Sequence, residues 1–93
     1  RALTIDEIET EYYLRITAQD VVGVMANIAK ELERHGIGID AIIQKESDGQ
    51  NVPIVILTDK ARESELNDAL AAIEALESVA EPVVRIRVES FGL

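Results

Sequence analysis

One antiparallel four-stranded sheet with two helices on one of its faces, an α+β sandwich, is the fold class that three features of the 93-residue sequence predict. Stretches alternating apolar and polar residues are interleaved with stretches carrying apolar residues at helical spacing. Their succession is strand, helix, strand, strand, helix, strand, so that strand-helix-strand occurs twice at similar spacing. Glycine, Asp-Gly and proline signals fall at the junctions.

Residues 1–11 are polar and acidic and read as a linker, residues 12–89 as the folded domain, and residues 90–93 as a tail. From Tyr12 to Ala18 the period is two, with Tyr12, Leu14 and Ile16 on one face and Tyr13, Arg15 and Thr17 on the other. Asp20 is the expected N-cap of the following helix, since its carboxylate can accept orphan amide hydrogens of a first turn. Val21, Met25, Ile28, Ala29 and Leu32 form that helix's apolar stripe, and Gly36 ends it. Ile37, Ile39, Ala41 and Ile43 alternate through a second strand. Ser47 to Asn51, with Asp48-Gly49, is a turn, and the nearly all-apolar Val52–Thr58 is a strand inside the sheet. Leu66, Ala69, Leu70, Ile73 and Leu76 mark the second helix. After Pro82 comes a last strand with Val84, Ile86 and Val88 on one side and Arg85 and Arg87 on the other. Right-handed crossovers then give a ferredoxin-like βαββαβ sandwich with strand order 4-1-3-2.

Both helices cover the same face, so the other starts bare. With Leu14, Ile16, Ile54, Ile56, Ile86 and Val88 under the helices, Tyr13, Ile42, Val55, Leu57 and Val83 are expected on the open side. An apolar patch of that kind marks an interface, with a second copy or with the rest of a longer chain. A chain of this length buries only part of its unfolded surface, so a further contact would stabilise it.

The composition excludes several function classes. The net charge of −9 disfavours nucleic acid and anionic membrane surfaces. Without cysteine there is no disulfide framework or thiolate zinc site, which suits a cytoplasmic location. No stretch reaches the roughly 20 apolar residues of a membrane span. A start at Arg1 rather than Met leads us to expect a piece of a longer protein.

No catalytic constellation is present. The serines lie in no nucleophile elbow. His35 sits at a helix C-terminus, where its charge suits the dipole better than metal or base chemistry. Gly36-Ile37-Gly38 follows a helix, the wrong context for a phosphate or dinucleotide loop, so neither cofactor nor metal is expected within these residues. Arg85 and Arg87 are expected to pair with acidic neighbours or with another part of a longer chain. The candidate binding segment is Asp20-Val21-Val22-Gly23-Val24, where free amide hydrogens at a helix start can hold a carboxylate and Gly23 permits close approach. Asp40, on an expected edge strand, either blunts unwanted pairing or meets a ligand amine.

The first strand, the D-x-x-G-V turn at Asp20 to Val24, the helix end His35-Gly36-Ile37 and the strand Gly38-Ile39-Asp40 resemble, in that order, the ACT domain, a ligand-sensing module of amino-acid metabolism. Tyr12-Tyr13-Leu14-Arg15, Ile43-Gln44-Lys45 and Val52 to Thr58 resemble the version carried at the C-terminal end of homoserine dehydrogenases, and Ile5 to Glu9 resembles the link to the catalytic region of those enzymes. The resemblance implies a homodimer formed through the second-strand edge and first helix. It implies a small amino-acid effector, threonine, held by Asp20, Val21, Val22, Gly23 and Val24 of one copy and Gly38, Ile39 and Asp40 of the other. It also implies feedback on an NAD(P)-dependent catalytic region lying outside these residues. Two departures stand out. Val22 replaces the proline usual before the turn glycine. Compared with the serine-sensing ACT domain of phosphoglycerate dehydrogenase, Ala18 takes a histidine position, and Asp20 and Gly38 take asparagine positions. The rival readings are a ligand-free oligomerisation module and a small acylphosphatase-like hydrolase. The latter needs an arginine in the first loop, which Asp20–Gly23 lacks.

Overall fold

A computed structural model describes residues 9–19 and 22–88. Its elements are β1 (Glu9–Gln19), α1 (Val24–Arg34), β2 (Ile39–Gln44), β3 (Asn51–Thr58), the two-residue β4 (Ala61–Arg62), α2 (Glu63–Glu74) and β5 (Val84–Val88). The main sheet runs β2-β3-β1-β5, every neighbouring pair antiparallel, which is the expected order with β5 as the fourth long strand. The strand β4 was not anticipated. It pairs Glu9 with Arg62 and Thr10 with Ala61, prolonging the run opposite β1 after a break at Asp59 and Lys60.

The core is the aliphatic layer between helices and sheet. Leu14, Ile16, Val52, Ile54 and Ile56 meet Ile28 and Leu32 of α1 and Leu66, Ala69 and Ile73 of α2. One polar side chain is buried among them. The Thr58 hydroxyl accepts the Tyr12 amide hydrogen at 3.0 Å and donates to the Asp59 carbonyl at 2.8 Å. It satisfies a backbone donor where β3 stops pairing, which is why a hydroxyl is tolerated there.

Two sequence expectations need correction. The first is the start of α1. The helix begins at Val24, and its N-cap is Gly23, left-handed at φ 85°, with no side-chain cap. Val24, Ile28 and Leu32 are its buried stripe, with Met25 and Ala29 half-buried. A helix beginning at Val24 leaves Asp20 three residues short of the cap position; Asp20 and Val21 lie outside the described residues.

The second correction is the phase of β5. Ile86 pairs with Tyr13, and Tyr13 faces away from the helices because its neighbours Tyr12 and Leu14 are buried beneath them. Val84, Ile86 and Val88 therefore stand on the open face. Arg85 and Arg87 lean toward α2, hydrogen-bonding Asn67 and Glu63 respectively. The Arg87 guanidinium lies 2.9 Å from the Glu63 carboxylate, which raises it above its ordinary pKa. Long arginine stems can arch over the margin of a helix layer and keep their charge in water, which short valines cannot do. Val83 packs against the core instead of opening outward, and Ile42 pairs with the buried Ile56 on the helix side.

The β2–β3 turn is organised by Asp48. Its Oδ1 accepts the amide hydrogens of Asn51 at 2.7 Å and Gln50 at 2.9 Å, while Gly49 turns the chain at φ 102°. These bonds, Asn51's foremost, hold the Asp48 carboxyl below its ordinary value of 3.8. A depressed native pKa means the carboxylate favours the folded state above its unfolded pKa, and that this contribution fades as pH falls through the native value. Asp48→Asn keeps the acceptor oxygen and is expected to flatten that acid-side dependence with the turn intact. Carboxyl NMR of the unaltered chain is expected to show Asp48 titrating below 3.8; an ordinary midpoint would contradict the arrangement.

Candidate functional site

The first half of the site follows β1. Val22 is fully exposed, Gly23 takes the left-handed turn, and the first helical bond runs from the Asn27 amide to the Gly23 carbonyl at 2.9 Å. No acidic side chain lies in the first turn of α1. The helix start thus presents backbone donors without a side-chain competitor, as an anion-holding turn requires. The positive φ is the reason for glycine here: a side chain at Gly23 would meet no atom within 4 Å, so backbone conformation and not space selects it.

The second half lies at the entrance of β2. The Gly38 carbonyl accepts the Asp59 amide hydrogen at 2.9 Å, and a Cβ at Gly38 would collide with the Asp59 carboxylate. Ile39 is half-buried against the core opposite Thr58. The register then slips between Ile39 and Ala41, leaving the exposed Asp40 in a bulge. Bulges re-aim side chains at sheet edges. Sequence reasoning missed both the bulge and the role of Asp59. The latter's position at the end of an all-apolar strand, followed by lysine, was the available signal.

The two halves do not meet within one chain. Gln19, the last described residue before the first turn, is level with Asn51 at the start of β3. Ile39 is level with Thr58 at the end of β3, and Thr58 bonds Tyr12. Tyr12 and Gln19 are seven residues apart along one strand, about 23 Å at 3.3 Å per residue. The loop and the β2 entrance therefore occupy opposite ends of the sheet.

Other features carry less. A groove of about 320 Å³ between α2 and β5 is lined by Asn67, Leu70, Ala71, Glu74, Val83 and Arg85. Its polar groups answer one another: Glu74 accepts the Val83 amide hydrogen at 2.7 Å and Asn67 accepts from Arg85. His35 closes α1 as expected, its ring Nδ1 2.8 Å from the Glu31 carbonyl. Among the described residues no group of three or more His, Cys, Asp or Glu could hold a metal ion, and no helix is long and apolar enough to cross a membrane.

A family profile described as the ACT domain matches residues 12–78, most of the chain. The chain belongs to the ACT domain family. It is 51% identical to a homoserine dehydrogenase of Pseudomonas aeruginosa over 92 residues, covering 97% of this chain and 21% of that protein. It is 44% identical to the homoserine dehydrogenase of Neisseria gonorrhoeae over 89 residues, 95% of this chain and 20% of that one. The crystal structure of a homoserine dehydrogenase from Thiobacillus denitrificans superposes with a TM-score of 0.85 at 43% identity, over 97% of this ACT chain and 20% of that one. The ligand-free regulatory subunit of aspartate kinase from Thermus thermophilus shares the fold, with a TM-score of 0.64 at 19% identity, over 83% of this chain and 50% of that one. This ACT domain spans about a fifth of the length of its homoserine dehydrogenase relatives.

Proposed function

We propose that this ACT domain is the regulatory part of a homoserine dehydrogenase and that two copies bind an amino-acid effector, threonine, between them. The single observation behind a shared site is the separation of its halves. Pairing two β2 edges antiparallel about a two-fold axis reverses the level of the second copy. The partner's Gly38, Ile39 and Asp40 then lie beside Gln44, which is level with Ile54 and so with Ile16 of β1, a few residues before the Gly23 turn. Such isologous pairing builds two equivalent sites at once. Exposed residues 40–44 of β2 leave that edge open for it.

In each site the helix-start amides of Val21 to Val24 would receive the effector carboxylate, while the Asp20 carboxylate and Asp40 of the opposite copy would meet its hydroxyl and ammonium groups. Binding favours one arrangement of the parent enzyme only by the difference in affinity between arrangements. The 93 residues do no chemistry themselves. Gly36 closes a helix at φ 76° instead of opening one, so Gly36-Ile37-Gly38 is not a dinucleotide loop, and we assign NAD(P) and homoserine to a catalytic region outside these residues. The similarity to biosynthetic dehydrogenases supports a cytoplasmic placement.

Isothermal titration of the dimeric domain with threonine and a panel of other amino acids tests the sensing role. Saturable heat with threonine is expected. Silence across the whole panel in protein shown to be dimeric would remove it and leave a ligand-free oligomerisation module, the reading favoured by the apolar open face.

A further inference from the structure

The open face of the sheet has a charge pattern that its fold alone does not require. Ile43, Val84, Ile86 and Val88 stand on it with 56%, 53%, 55% and 36% of their surface exposed, around Tyr13, Val55 and Leu57. The chain carries 18 acidic residues. Yet, the bulged Asp40 at the outer edge aside, the charged strand residues on this face are Glu9 with its register partner Arg62, Glu11 and Arg15. Glu9 already lies 3.7 Å from Arg62. Glu11 and Arg15 have no ion-pair partner among the described residues and flank Tyr13 symmetrically on the same strand, two positions before it and two after.

We infer that this face docks against the same face of a second copy, about a two-fold axis that crosses the strands at Tyr13. That operation reverses strand direction and lays each strand over its own equivalent. Tyr13, Leu57 and Ile86 share the axial level and meet their counterparts. Val84, level with Arg15, meets the partner's Val88, level with Glu11. Glu11 of each copy then lies opposite the partner's Arg15, twice over. Sheets packed face to face stand about 10 Å apart with strands crossing at roughly 30°, close enough for these long side chains to reach across. The scarcity of acids has a reason in the same geometry: two molecules of charge −9 approach with least repulsion where acids are few and each is matched by an arginine. Four strands about 4.8 Å apart and five residues long give a footprint of roughly 300 Å² per copy. That is a small interface, so the contact is reversible by itself and strengthens when another interface tethers the copies. It is separate from the β2-edge pairing proposed above, and the two together make a tetramer.

Charge reversal with rescue tests it on this 93-residue chain by sedimentation velocity, with a thermal melt confirming that each variant folds. Glu11→Arg places two arginines opposite each other and Arg15→Glu two glutamates. Each single reversal is expected to weaken one association step on the order of a hundredfold, and the double variant, E11R with R15E, restores it. If the edge pairing also holds, unaltered protein is a tetramer and the single variants are dimers. If the edge pairing fails, unaltered protein is a dimer and the single variants are monomers. Either result supports the face contact. Unaltered protein and both single variants sedimenting alike, or a double variant no better associated than the singles, overturns it in favour of a face covered by another part of the parent chain.

Discussion

Replacing Ile56 by alanine is expected to destabilise the fold by about 2–5 kcal/mol, while the same replacement at Ile86 costs no more than about 0.5 kcal/mol in the single chain. Both isoleucines lie mid-strand and flank β1 one level apart, Ile56 beside Leu14 and Ile86 beside Tyr13. Ile56 is completely buried on the helix side of β3, between Leu14 of β1 and Ile42 of β2, so truncating it opens a cavity that the layers close only in part. Ile86 keeps 55% of its surface in solvent. For a domain of this size the first substitution is expected to lower the melting temperature by more than about 10 °C, read by circular dichroism and urea titration. Equal losses at the two positions in protein diluted to the monomer would mean that the phase of β5 is wrong.

The second large effect concerns the shared site. Asp20→Ala and Asp40→Ala are each expected to weaken threonine binding by about 10–100-fold, the equivalent of one charge-assisted hydrogen bond. Mixing them is the decisive step. A heterodimer pairs one intact loop with one intact β2 entrance and leaves its other site doubly defective. An equimolar, freely exchanging mixture therefore recovers about a quarter of the original sites at full affinity, by symmetry alone. Calorimetric stoichiometry measures that fraction directly. A site contained within one chain would recover nothing on mixing.

Much of the architecture was legible in the residues. The Tyr12–Ala18 alternation, the two helical stripes and the all-apolar Val52–Thr58 run each announce their element, because one face of each must be buried and the period shows which residues share it. Two features escaped for a common reason. Val84-Arg85-Ile86-Arg87-Val88 shows that its valines and arginines point opposite ways, but period two does not say which side faces the helices, and on an edge strand the usual preference for apolar burial is weak. The start of α1 escaped similarly: Val21-Met25-Ile28-Leu32 and Val24-Ile28-Leu32 are both acceptable stripes, and the left-handed Gly23 decides between them.

Local periodicity and turn chemistry specified the four long strands, the two helices, their succession and the ACT family to which the chain belongs. Pairing in three dimensions is what sets Gly23 and Gly38 at opposite ends of the sheet, turns Arg85 and Arg87 toward α2, and lines up Glu11, Tyr13 and Arg15 on the face away from the helices. Registers and levels are set by pairing between segments far apart in the chain, and no local pattern encodes them.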